Sequence, residues 1–310
     1  MVLEQDREET MELGPNDNRV YAVPVIDVNW LVFAPFDPGR GFRVDPPNVR
    51  QSLIDLKIVM SELKNLTDGK YVLTPHSGTY CRSEYYEGDI LGLYQEAVAG
   101  GADVGVHLHE EIKGVGTRFA EMDHVTAMFL ACKQKLEAAG VRPVAYRGGH
   151  YAYHPAMNKL LEDNEIFVDY SCCPKLDFPD REAIWTEAGY TADLLPDNLR
   201  RPWPSQRRSR ILEVPIGSDG LGTAYANILH IEQSEIDNLE RVWDAVVARA
   251  EAQHAPQIVH FLFHTASVGE EKWLKRFRQF LDMVPRRRGQ FISSAEAQML
   301  FRDTVREMVQ

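Results

Sequence analysis

His107 and His109 stand two residues apart in the segment DVGVHLHEE. On a β-strand that spacing sends both imidazoles to one face and Leu108 to the other. Val104 and Val106 before them are apolar and β-branched, and Glu110 and Glu111 after them are polar, which places the pair at a strand's end. Neutral imidazole is the commonest metal ligand, so the chemistry this pair offers is a divalent metal site, zinc first. Two ordinary histidines on an edge strand are the alternative.

Other reactive residues fall in comparable places. Asp27 closes the apolar run VYAVPVID, where an acid is costly to bury unless it is paired, metal-bound or catalytic. If Asp27 is a costly buried acid, Asp27→Asn would hold or raise the thermal midpoint. His76 follows a short strand-like run, Arg147 precedes Gly148, Gly149, His150 and Tyr151, and His264 ends IVHFLFH. Arg147 is suited to hold a carboxylate or orient a substrate. His76, His150 and Tyr151 are candidate substrate contacts. His260 lies deeper on its strand and reads as a core histidine. Asp169 and Glu213 read as structural. Trp203 is a further candidate substrate contact, flanked by Arg200, Arg201, Arg207, Arg208 and Arg210. These arginines could grip an anionic group such as a phosphate, although a solvated arginine-rich loop is the commoner meaning of such a run.

The elements that must position these residues alternate. Strands are expected at 20–28, 70–74, 103–109, 142–146, 166–170, 210–215, 257–264 and 290–293. Helices are expected at 47–66, 83–99, 122–139, 155–163, 233–252, 270–283 and 294–309. Residues 173–209 read as irregular and too long for an ordinary connection. Alternation of this kind implies parallel strands with helical crossovers, and strands rich in Val, Ile, Leu and Phe suit a sheet covered on both faces. The expected fold is α/β, a distorted (β/α) barrel of about seven to eight parallel strands, with an open doubly wound sheet as the alternative. In such barrels chemistry sits at the C-terminal ends of the strands. Five of the ten histidines (His76, His107, His109, His150 and His264) fall at such ends.

The chain has 310 residues, 44% hydrophobic and 26% charged, enough for a full core. Its net charge of −12 argues against a nucleic-acid partner and leaves a small-molecule substrate. No apolar run approaches the ~20 residues that span a bilayer, so no membrane partner is expected. Residues 1–18 are acidic, have no apolar core of a secretory signal and read as a loose leader to one domain, 19–310. Cys81, Cys132, Cys172 and Cys173 lack zinc-finger spacing; reduced, buried thiols and a cytoplasmic location are expected.

Taken in order, the segments resemble the polysaccharide deacetylase superfamily (NodB homology, carbohydrate esterase family 4). YAVPVIDVN is similar to its first motif, DVGVHLHE to the second, and YRGGHYAYHPAMNKLLEDNEIFVDYSC to the third. ILEVPIG and VHFLFHTAS are similar to the fourth and fifth. The match runs from about Tyr21 to His264. The resemblance implies a distorted (β/α) barrel and metal-dependent hydrolysis of an N-acyl group. In it Asp27 would be general base or metal ligand, His107 a ligand, His264 the general acid, and Arg147 the residue that orients Asp27. Four positions depart from the pattern. Val28 and Asn29 stand where a second acid is usual, Glu111 stands four after His107 in place of a histidine, and His150 replaces an aromatic residue. Either His109 or Glu111 must complete a metal site.

The leading expectation is therefore a metal-dependent hydrolase that removes an N-acyl group, acetyl first, from a small amino sugar or similar amide. The alternatives are a hydrolase of a non-carbohydrate amide (a ureide or cyclic amide), with or without a metal, and an inert relative that only binds a ligand.

Overall fold

The computed structural model of the protein describes residues 18–29, 49–78, 84–112 and 116–309. The expected leader, except Asn18, lies outside the described residues, as do Cys81 and the side chain of Glu111. In chain order the elements are β1 (Val20–Val28), α1 (Val49–Leu66), β2 (Val72–Gly78), α2 (Asp89–Ala99), β3 (Asp103–His109), β4 (Glu111–Ile112), β5 (Gly116–Thr117), α3 (Met122–Ala138), β6 (Ala145–Gly148) and α4 (Met157–Asp163). They continue with β7 (Val168–Asp169), β8 (Asp177–Phe178), β9 (Ala183–Ile184), β10 (Asp193–Pro196), β11 (Arg208–Glu213), α5 (Ile236–Gln253), β12 (Gln257–His264), α6 (Glu271–Arg286), β13 (Gly289–Phe291) and α7 (Ser294–Val309).

The main sheet runs β10-β11-β7-β6-β3-β2-β1-β12. All its pairs are parallel except β10 with β11. β13 takes the first half of β1, opposite Val20–Ala22, and β2 takes the second half, opposite Val25–Val28. The sheet curls until its ends meet. The chain leaving β11 joins β12 through His260 N–H to Pro215 C=O (2.9 Å) and Gly217 N–H to His260 C=O (2.8 Å). The expected distorted barrel is thus present, closed onto β12 by the parallel bridges Ile216–His260 and His230–Leu262.

The residues explain the layers. β1 and β12 are buried along their whole length and do not alternate, as strands covered on both faces should be. α1 buries Leu56, Val59, Met60 and Leu63, one helical stripe, against that core. The sheet also extended one strand beyond its expected end. β2 runs on through Pro75 and His76 to Gly78, because β3 offers partners in register: His76 opposite His107, Ser77 opposite Leu108 and Gly78 opposite His109. The helix expected over 83–99 instead splits at Gly88 into a 3-10 turn, Glu84–Tyr86, and α2, since Gly88 adopts φ +64. Residues 173–209, expected to be irregular, contain the short strands β8, β9 and β10.

Candidate active site

Sheet register assembles the site. Asp27 lies opposite His264 on β12 and Thr74 on β2; His107 lies opposite His76 on β2 and Arg147 on β6. In-register neighbours in a parallel sheet share a face, so these side chains meet at the C-terminal rim. Asp27 is 2% exposed. Arg147 Nε donates to its Oδ1 at 2.9 Å and to its Oδ2 at 3.1 Å, and Thr74 Oγ1 donates to Oδ1 at 2.7 Å. Burial opposes ionisation of Asp27, but Arg147, with help from His107, His76 and His264, outweighs it and holds the carboxyl well below the usual range. Arg147 is itself fixed by a bond from Nη1 to the Tyr170 carbonyl, 2.7 Å.

Three imidazole Nε2 atoms converge on Asp27 Oδ2: His264 at 3.4 Å, His107 at 3.7 Å and His76 at 3.8 Å. The tautomer of His107 follows from its other nitrogen. Nδ1 lies 3.0 Å from the Arg147 carbonyl, which can only accept, so Nδ1 carries the proton and Nε2 presents a lone pair. That Nε2 is buried and has no hydrogen-bond partner among the described residues. Burial lowers the pKa of His107 well below 6.5 and that of His76 to about 3, so both rings stay neutral. A neutral imidazole lone pair facing a carboxylate lone pair, with no proton between them, is a place for a cation.

The donor chemistry fits one. Donor atoms of His76, His107 and His109 lie within 4.8 Å of one another. Ligand atoms about 2.0–2.1 Å from a tetrahedral zinc are about 3.3 Å apart, so modest closure completes a three-histidine set. The rings already pack: His76 lies 4.2 Å from His107 and 4.8 Å from His109, and His109 lies 4.6 Å from His150. Of the residues expected from sequence, Asp27, His76, His107, His109, Arg147, His150, Tyr151 and His264 come together. His76, expected as a substrate contact, stands among the residues that could hold a metal ion. Trp203 does not join them. It is 3% exposed, its ring 6.4 Å from Trp185, beneath the Arg208 guanidinium. The arginines around it do not form one anion site: Arg208 pairs with Asp193 at 3.0 Å, and Arg210 stacks on Phe167.

Two residues that the sequence reading passed over complete the arrangement. Glu232 Oε1 accepts from the backbone N–H of His264, from Ser267 Oγ at 3.0 Å and from His264 Nδ1 at 3.1 Å. Its Oε2 lies 3.2 Å from His230 Nδ1, and the His230 ring stacks on His264 at 5.4 Å. Burial lowers the pKa of His264, but Glu232 and then Asp27 more than offset this, so His264 titrates above 6.5. The signal was present in ILHIE, where His230 and Glu232 have the spacing of His107 and His109. His260 is a core residue, as expected, with Nδ1 on the Val214 carbonyl at 2.7 Å. Asp169 and Glu213 face each other in register on β7 and β11, both buried, with Ser171 Oγ donating to Asp169 and the Cys172 N–H to Glu213.

No family model and no curated protein matches the chain. Solved structures do. A protein described as a polysaccharide deacetylase from Mycobacterium smegmatis superposes with a TM-score of 0.59 at 14% identity, covering 93% of this chain and 92% of its own. Puue allantoinase gives 0.58 at 11% identity, with 98% and 99% covered. A protein described as a polysaccharide deacetylase from Pseudomonas aeruginosa PAO1 gives 0.57 at 11%, with 92% and 91% covered. The chain therefore shares the fold of these two proteins described as polysaccharide deacetylases and of the allantoinase. Function has to be argued from the site.

Proposed function

We propose that the protein is a metal-dependent amide hydrolase that removes an N-acyl group, acetyl first, from a small amino sugar or a similar small amide. The observation that carries this reading is the meeting of the His107 Nε2 lone pair with an ionised Asp27 among three further imidazoles. His76, His107 and His109 would hold the metal, zinc by donor type. When bound, it supplies a polarised carbonyl and a water acidic enough to lose its proton near neutral pH.

That supply matters because of Asp27. A carboxylate held well below the usual range stays ionised but is a weak base, and takes a proton readily only from an acidified water. Arg147 and Thr74 keep Asp27 charged and aimed. His264, raised above 6.5 and oriented through Nδ1 by Glu232, carries a proton on Nε2 in its charged form and gives it to the leaving amine nitrogen as the C–N bond breaks. Carboxylic acid and free amine are the products. A cytoplasmic location is the reading that the free, buried thiols Cys132, Cys172 and Cys173 support. Among the described residues no helix is long and apolar enough to cross a membrane.

A second reading is metal-free hydrolysis of a ureide or cyclic amide. It is favoured by Val28, fully buried and aliphatic beside Asp27, where a second acid would stand. One experiment separates the readings: turnover of N-acetylglucosamine and of allantoin, before and after chelation and after zinc is returned. The expected result is amine release from the N-acetyl sugar, lost in chelator and restored by zinc. Turnover of allantoin unaffected by chelator would establish the second reading, and binding of either compound without turnover would leave an inert relative.

A further inference from the structure

The loop after β6 is strained. His150 and Tyr151 are consecutive residues in the left-handed region, at φ +52 and +63, and neither is glycine. Such conformations persist only where the surroundings over-determine them. Here they do. Gly148 N–H donates to Ser171 Oγ at 2.8 Å, Trp185 Nε1 donates to the Tyr151 carbonyl at 2.7 Å, and Tyr153 N–H donates to the Glu182 carbonyl at 2.9 Å. The loop also has no spare room. A Cβ on Gly148 would lie 1.7 Å from the Ala152 carbonyl oxygen, and one on Gly149 would lie 2.6 Å from the His109 ring.

The outcome of this bracing is the position of one side chain. The Arg147 guanidinium lies over the Tyr151 ring, 5.3 Å from its centroid, and Arg147 Nε holds Asp27. The phenol is thus one side chain away from the reacting carboxylate. Its Oη is buried and has no hydrogen-bond partner among the described residues. A buried hydroxyl left unpaired is unfavourable in the resting protein. Burial first, then Cys173, Tyr225 and Asp27, push the phenol well above 10 against the pull of Arg147, so it keeps its proton.

We propose that Tyr151 is a catalytic residue of the amide hydrolysis, with Oη donating a hydrogen bond to the substrate's carbonyl oxygen as negative charge builds on it. This rests on the amide-hydrolase reading above. Water oxygen bonds to the carbonyl carbon, the C=O π pair moves onto oxygen, and the water's proton passes to Asp27. As the C–N bond breaks, its electron pair leaves on nitrogen, which takes the proton of His264. The Tyr151 proton is shared and not transferred. A donor waiting without a partner strengthens its bond only where charge develops, which lowers the barrier without tightening substrate binding.

The test is Tyr151→Phe, which keeps the ring under Arg147 and removes only Oη. Turnover of N-acetylglucosamine, bound zinc, the thermal midpoint and the affinity of a phosphonamidate mimic of the tetrahedral species are measured together. The expected result is a fall of about 100- to 1,000-fold in kcat, the usual effect of losing one such donor, with KM within a few-fold. Phosphonamidate affinity falls by the same factor as kcat/KM, while zinc content and thermal midpoint hold. A kcat within a few-fold of wild type overturns the proposal, as does a rise in KM at unchanged kcat. Wild-type protein that hydrolyses no amide defeats the amide-hydrolase reading itself, a failure visible before the variant is made.

Discussion

Asp27 was read from the sequence as a costly buried acid whose conversion to Asn should not harm stability. The structure reverses that expectation, because Arg147 is equally buried and Asp27 is its counter-ion. Removing one member of a buried pair leaves the other uncompensated, at about 3–5 kcal/mol. Asp27→Asn should therefore abolish turnover and also lower the thermal midpoint, and denaturant unfolding of the two proteins measures the loss. At His264 the pH profile is the readout. The protonated ring is the active form, so activity is present below its pKa and is lost as pH rises through a value above 6.5. Glu232, itself held to about 2 by His264 and His230 despite burial, is the main cause of that elevation. Glu232→Gln should move the alkaline limb of kcat/KM to lower pH. A limb that stays in place would mean that another group sets it.

At the scale of elements, β3 and β12 were legible to the residue, because buried parallel strands are continuous apolar runs and their reactive residues interrupt those runs at the end. β2 was cut short in the sequence reading because Pro75 and His76 read as a strand's end; only pairing with β3 shows otherwise. The Asp169–Glu213 pair illustrates what register adds. Burial raises both carboxyls, and Asp169 pushes Glu213 well above its ordinary value. The folded protein then holds a proton that the unfolded chain releases above about pH 4. Stability from this pair therefore falls as pH rises from there toward the folded value. Glu213→Gln keeps an acceptor for the Cys172 N–H and supplies a donor to Asp169. It should raise the unfolding midpoint at neutral pH and flatten its decline above pH 5. An unchanged slope would show that the two carboxyls do not share a proton.

Across the whole molecule, six of the ten histidines (76, 107, 109, 150, 230 and 264) form one contiguous set of ring contacts. Five of them could be placed from the sequence because they end strands. His230 could not, since it sits in the connection that runs alongside β12 after the sheet has closed, a feature of tertiary curvature. Trp203 is the converse case, as its arginine-rich neighbourhood looks like surface while the indole is buried and packs on Trp185. The barrel thus brings remote segments to one rim, and the proposed hydrolysis depends on whether that rim holds a metal. The most direct test is elemental analysis of protein purified without chelator, for wild type and His107→Ala. About one zinc per chain in the wild type and none in the variant is the predicted result for a site that depends on each of its ligands. Wild-type protein without bound metal, whose amide hydrolysis is indifferent to chelator, would contradict it.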